Sequence, residues 1–213
     1  MKESVLILGA GGHAKSVLDT LFHIKNVNIV GLIDMHEAKR GKSLLGVPVL
    51  GGEDLIFEKY SPKKIKLINA LGSTDDTTKR EHLFIKFKKA GFNFLSITHP
   101  FAYIGKEVSL GEGVQVMAGA VIQPGSTIGD NVIINTKASI DHDCHISHHV
   151  HIAPGATCCG YVRVEDGVHI GCGAIILQRI HIGARSLIAA GACVIRDVEP
   201  NSKVIGVPAK RTE

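Results

Sequence analysis

From Ile104 onward the chain places an apolar residue at every sixth position. Sixteen hexads run from Ile104 to Glu199 without a slip in phase, and eleven of them begin with Ile, the rest with Leu, Val or Cys. In a chain that is 45% hydrophobic, chance would produce that run with a probability on the order of 10⁻⁶. An α-helix wants apolar spacings of three and four, and a half-buried strand wants alternation, so neither explains the period. A solenoid does: each hexad is one short strand plus a turn, and three hexads close a triangular coil of about 18 residues. The first residue of each hexad points inward and stacks on its equivalents above and below. The fifth position is small or β-branched (Val108, Ala120, Ser126, Ala138, Ala156, Ala174, Ala192), as a cramped interior near a corner requires. Glycine at the second position (Gly105, Gly111, Gly129, Gly171, Gly183) supplies turn backbone that a side chain would hinder. The sixteen hexads make about five coils, roughly 25 Å long at a strand spacing of ~4.8 Å.

Residues 1–98 follow another pattern. Apolar runs predict strands over residues 4–8, 27–33, 65–70 and 92–97, with helices over 15–24 and 77–90. This is a small βαβ-type parallel domain. The expected fold is therefore an α/β Rossmann-like domain over residues 1–98 and an all-β parallel β-helix over 99–213, with the boundary near His99-Pro100.

Candidate chemistry falls in both halves. Gly9-x-Gly11-x-x-Ala14 follows a strand and opens a helix, and Asp34 ends the next strand. That context points to a nucleotide site, with backbone N–H groups and the helix N-terminus facing a pyrophosphate and the acid on a ribose hydroxyl or base edge. A full NAD site is disfavoured because the domain lacks a second mononucleotide half. A tight turn without a ligand stays open, as does direct contact of His13 with a phosphate.

Seven of the twelve histidines lie between residues 142 and 181. Most occupy the sixth position of their hexads, which reads as a column of exposed residues rather than a metal site; His151 and His169, and likewise Arg163 and His181, should stack one coil apart. His142 differs, because Asp141 and Asp143 flank it. A carboxylate that binds one imidazole nitrogen fixes the tautomer and leaves the other as a stronger base. General base and solvated surface residue both remain open at this point.

Bulk properties narrow the class. The net charge is +4 and the basic residues are dispersed; Trp is absent and aromatics are 5%, which disfavours a nucleic-acid platform. No apolar run is long enough for a transmembrane span, and no signal peptide is evident, so a cytoplasmic protein is expected. Five cysteines without a CxxC pair signal neither a disulfide framework nor a zinc site.

The order of motifs is GAGGHA near the N-terminus, N-T-x-x-x-I-D-H-D-C from Asn135, H-I-A-P-G-A-T-x-x-G from His151, and a closing G-V-P-A-K. Together they resemble the bacterial sugar acetyltransferases of the sialic acid O-acetyltransferase type, and among them the UDP-4-amino-4,6-dideoxy-sugar N-acetyltransferases of bacillosamine biosynthesis. The resemblance covers nearly the whole chain. It implies a left-handed β-helix, acetyl-CoA as co-substrate, no metal, and a homotrimer with active sites between subunits. Gly11, Gly12, His13, Asp34 and Gly72 would line the nucleotide pocket, and Asn135 would lie near the sugar. His142 would be the base, with Asp143 where the family usually has Glu, and the Gly160 N–H would stabilise the oxyanion. His151 would meet the acetyl or thioester region, and pantetheine would pass Cys172 and Ala190, the latter replacing a family Gly, toward Lys210. The implied reaction is direct N-acetylation of a nucleotide-linked amino sugar. Alternatives are O-acetylation of a sialic-acid-like sugar, a GDP-linked acceptor, or a non-enzymatic β-helix binding or regulatory protein.

Overall fold

The computed structural model describes residues 2–212. Its N-terminal part is a five-stranded sheet in the order β3-β4-β2-β1-β5, formed by β1 (Glu3–Leu8), β2 (Val27–Ile33), β3 (Ser43–Leu44), β4 (Val47–Gly51) and β5 (Lys66–Asn69). All pairings are parallel except β3 with β4. Helices α1 (Gly12–Phe22), α2 (Asp54–Lys59) and α3 (Thr78–Lys89) cover it. Strand β1 is apolar on both sides because both sides are buried. Val5 and Ile7 pack with Ala14, Val17, Leu18 and Leu21 of α1, while Leu6 and Leu8 pack with Ile56, Phe84 and Phe87 of α2 and α3.

Sequence patterning missed β3, β4 and α2. Pro48 and the glycines around it interrupt the apolar run that marks a strand. It also expected a strand over 92–97, which does not form. Phe92 and Phe94 pack into the core, but only one bridge, Leu67 to Phe94, links the segment to the sheet. The Phe94 N–H donates instead to the Glu112 carboxylate at 2.6 Å. The segment thus joins the two halves, and Ile97–Thr98 already pairs with Gln115–Val116 of the β-helix.

The hexads wind into three parallel sheets. One face, called here the covered face, runs from Ile97–Thr98 through Gln115–Val116, Ile133–Ile134, His151–Ile152, His169–Ile170 and Leu187–Ile188. The small domain sits on it. A second, uncharged face presents Tyr103, Val121, Ser139, Thr157, Ile175 and Cys193 outward. The third, polar face carries Ser109, Thr127, His145, Arg163 and His181. First-position residues from Ile122 to Val194 and fifth-position residues from Val114 to Val198 form one continuous core.

The turns work differently from the expectation. The left-handed residue is the fourth of every hexad but the last: besides the glycines there, Glu107, Asn131, Lys137, Asp143, His149, Tyr161, Arg179 and Arg185 have φ of 55–63°. Glycine at the second position answers a close approach instead. A Cβ on Gly105, Gly111, Gly129, Gly171 or Gly183 would lie 2.5–2.7 Å from the next coil.

Candidate active site

The corner between the uncharged and polar faces carries His142, Gly160 and Gln178 at the third hexad position and Asp143, Tyr161 and Arg179 at the fourth. Backbone rungs lock these coils together: Asp143 N–H donates to Pro124 O, Tyr161 N–H to His142 O and Arg179 N–H to Gly160 O. The left-handed backbone of Asp143 brings its Oδ2 to 2.8 Å from His142 Nδ1. His142 N–H donates to Asp141 Oδ1 at 2.8 Å. With its proton on Nδ1, facing the carboxylate, the imidazole keeps a lone pair on Nε2.

Gly160 makes room for that ring. A Cβ there would sit 2.7 Å from His142 Nε2. The Gly160 N–H has no backbone or side-chain acceptor among the described residues. Tyr161 meets the imidazole edge-on at 5.1 Å, and the Arg179 guanidinium lies 5.8 Å from the Tyr161 ring. A cleft of about 400 Å³ opens here, lined by His142, Gly160, Tyr161, Gln178 and Arg179 with Asp141 and Cys159. Tyr161 and Arg179 escaped the sequence reading. Their one signal is weak: both are large residues at a hexad position that is glycine in seven of the sixteen hexads.

The second group forms where the small domain meets the covered face. Gly72 abuts His13, since a Cβ on Gly72 would lie 3.3 Å from that of His13. His13 Nε2 is 2.7 Å from Gln115 Oε1. The Gln115 amide is oriented by its own donation to Asn69 O at 2.7 Å, so Oε1 accepts and His13 Nε2 carries the proton. Burial, reinforced by the Arg80 charge and opposed by the Gln115 bond, lowers the His13 pKa to about 4. His13 is therefore neutral near pH 7 and offers an acceptor at Nδ1. In that form Nδ1 can accept from a substrate O–H or N–H.

Asp34 ties the turn together. Its carboxylate accepts from the N–H groups of Ala10 and His36 and from Lys39 Nζ. Burial alone would raise its pKa, but these donors outweigh burial and lower it.

His151 and His169 were expected in an exposed column. They stack one coil apart as anticipated, but the small domain buries both. The His151 ring is held on both sides, by Ser73 Oγ at 2.6 Å from Nδ1 and Asn135 Nδ2 at 3.1 Å from Nε2. An acyl carbonyl can reach it only by replacing one of these partners. Burial, then the fields of His169, Arg80 and His13, push its pKa far below the usual histidine range.

Cys172 and Ala190 are exposed at the corner between the covered and uncharged faces, the corner that also carries Asn135 and Thr136. A second cavity of about 310 Å³ lies between this corner (Met117, Ala118, Thr136) and α1 (Lys15, Ser16, Asp19, Thr20). Lys210 is exposed in the strand that closes the covered face. Within one chain, then, the His142 corner and the Cys172–Ala190 corner are separated by the uncharged face. Near the second cavity Asp19, His23 and His99 bring potential metal-ligand atoms within 4.8 Å of one another. The His99 Nδ1 accepts the Phe101 N–H, however, which leaves the proton on Nε2, the wrong form for a metal.

Comparison with known proteins agrees with this architecture. Residues 4–87 match the PglD N-terminal domain family and residues 107–140 the bacterial transferase hexapeptide family. The acetyltransferase domain of PglB from Neisseria gonorrhoeae is 32% identical over 99% of this chain and 100% of its own, with a TM-score of 0.91. PerB from Caulobacter crescentus, solved with CoA and GDP-perosamine, is 36% identical over 99% of this chain and 97% of its own, with a TM-score of 0.88. The chain belongs to the PglD-type hexapeptide acetyltransferases. A curated relative, the 2,3,4,5-tetrahydropyridine-2,6-dicarboxylate N-acetyltransferase of Staphylococcus aureus, is 45% identical over 49 residues, 23% of this chain and 20% of its own length. Against such relatives the chain spans only that fifth. Among PglD-type acetyltransferases, the PglB domain has also been solved with acetyl-CoA. No described helix is long and apolar enough to cross a membrane.

Proposed function

We propose that the protein transfers the acetyl group of acetyl-CoA to the 4-amino group of a nucleotide-linked 4-amino-4,6-dideoxy sugar, a UDP-sugar in the first instance. The observation that carries the reading is the His142–Asp143–Gly160 arrangement in its cleft. The substrate amine, as free base, attacks the thioester carbonyl. His142 Nε2 takes the proton as the N–C bond forms. The Gly160 N–H donates to the developing oxyanion, a contribution worth several kcal/mol in general. As the C–S bond breaks, the imidazolium returns the proton to the departing thiolate of CoA. No acyl-enzyme is required. The Cys158 thiol suits no nucleophilic role, since complete burial pushes its pKa well above the usual range.

The reading makes the active enzyme a homotrimer. The uncharged face has no ionic group to leave stranded on burial, and Tyr103 and Ile175 on it are exposed large hydrophobics. Three prisms that turn this face toward a common axis bring the His142 corner of one subunit against the Cys172–Ala190 corner of the next. Acetyl-CoA then runs past Cys172 and Ala190 toward Lys210, and the sugar lies by Asn135. Gly11, Gly12, His13, Asp34 and Gly72 form the nucleotide end. Five free cysteines fit a reducing cytoplasm.

The test is thiol release from acetyl-CoA with a panel of UDP- and GDP-linked 4-amino sugars and sialic-acid-like hydroxyl acceptors. Turnover with a 4-amino sugar is expected. Turnover only with the hydroxyl acceptors would replace amine by hydroxyl chemistry, and silence across the panel would sink the reading.

A further inference from the structure

We propose that Ser73 contacts the nucleotide sugar directly, its hydroxyl donating to a phosphate oxygen, with His151 and Asn135 holding it in position to do so. The inference rests on the reading of the small domain as the nucleotide-sugar site.

The direction of each hydrogen bond is fixed by the one before it. The Thr136 N–H donates to Asn135 Oδ1 at 2.8 Å, so the Asn135 amide presents Nδ2 to His151. Nδ2 donates to His151 Nε2 at 3.1 Å, which places the ring proton on Nδ1. That N–H donates to Ser73 Oγ at 2.6 Å. Having accepted there, the serine must direct its own O–H elsewhere. The other acceptor within reach among the described residues is His169 Nδ1, at 3.5 Å, the outer limit of a hydrogen bond. Ser73 is partly exposed, so its donor is available to a ligand.

The surroundings choose an anion as that ligand. Ser73 follows Gly72 in the turn after β5, at the carboxyl edge of the sheet where α/β domains bind ligands. Neither the Gly72 nor the Ser73 N–H has an acceptor among the described residues. Behind the turn lies Arg80, 1% exposed. Its guanidinium donates to the carbonyls of Asn69, Leu71 and Asn131, and no carboxylate pairs with it among the described residues. Burial lowers its pKa only to about 9, so it stays cationic at neutral pH. Because a trans peptide points its C=O and N–H in opposite directions, the Leu71 carbonyl held by Arg80 turns the Gly72 N–H away from the guanidinium. One turn therefore carries two N–H groups without an acceptor and an oriented O–H, with a buried, unpaired cation behind it. A phosphate supplies acceptors for all three donors and answers the charge; a sugar hydroxyl does not. His151 is here a positioning residue that acts through Ser73.

The test is calorimetric titration of the whole protein with UDP, GDP, uridine, guanosine and acetyl-CoA. For whichever diphosphate the parent binds, Ser73→Ala should weaken affinity about tenfold, the scale of one hydrogen bond to a charged group. Ser73→Thr should restore it to within about threefold, and His151→Asn should add little to Ser73→Ala in a double-mutant cycle. Nucleoside and acetyl-CoA affinities should not move. Equal diphosphate binding by parent and Ser73→Ala would overturn the inference and leave the nucleotide reading standing. Uniform loss of every ligand would make Ser73 merely structural and overturn it as well. A parent that binds acetyl-CoA but neither diphosphate would bring down both the inference and the reading beneath it.

Discussion

His142 and His151 lie nine residues apart in the same stretch of β-helix, yet their surroundings are opposite. His142 stands half exposed at a corner, with one nitrogen on a carboxylate and the other facing a cleft. His151 is buried between an amide and a hydroxyl, beside an unpaired arginine, and its charged form is suppressed. The first arrangement can accept and return a proton. The second cannot, and instead passes orientation from one neutral group to the next. The prism places a residue by its hexad position; the second layer of contacts decides what that residue does.

The sharpest way to break this comparison is to remove His142. His142→Ala should lower kcat by about 10²–10⁴, the range for losing a general base, with little change in the KM for either substrate. Steady-state kinetics with acetyl-CoA and the accepted sugar measures it. Equal turnover by mutant and parent would show that proton transfer belongs elsewhere.

Gly160→Ala tests the same corner without deleting a functional group. The new Cβ would come within 2.7 Å of His142 Nε2, so the exposed ring must swing aside. Gly160 has no left-handed φ, so alanine adds no backbone strain. The expected outcome is a fall in kcat of about 10²-fold, the scale of a displacement near 1 Å, with Tm unchanged within a few degrees. A fully active Gly160→Ala enzyme would mean that the ring has no fixed station over this coil.

How legible each region was follows from what holds it. The six-residue phase is a local repeat, so Ile104 to Val194 could be placed by counting; Gly160 entered only through the family resemblance, although its 18-residue spacing from His142 puts both in one column. The left-handed fourth position was not legible, because Lys137, Tyr161 and Arg179 hide a conformation that glycine advertises. The covered face was less legible still. His151 and His169 look solvated in the hexad register, and only the small domain, folded from residues far away in sequence, buries them and lowers their pKa. Arg80 carries no motif, and its role appears only once three carbonyls from two separate segments, 69–71 and Asn131, converge on it.

The buried group makes its own, smaller prediction. His13 has a folded-state pKa near 4, below the ~6.5 of an unfolded histidine. Between those values the unfolded chain binds the proton and the folded chain does not, so stability is full above about pH 6.5 and is lost as pH falls toward 4. His149, His151 and His169 are shifted the same way by burial and add to the slope. The His13 share is about 3 kcal/mol at most across that window, before solvent screening reduces it. Thermal unfolding followed from pH 7 to 4 should show a falling Tm, and His13→Gln, which keeps a donor for Gln115 but cannot titrate, should flatten the fall. If the mutant and parent curves ran parallel, His13 would already be charged in the fold. The contrast between an exposed corner and a buried covered face would then have to be drawn at His151 alone.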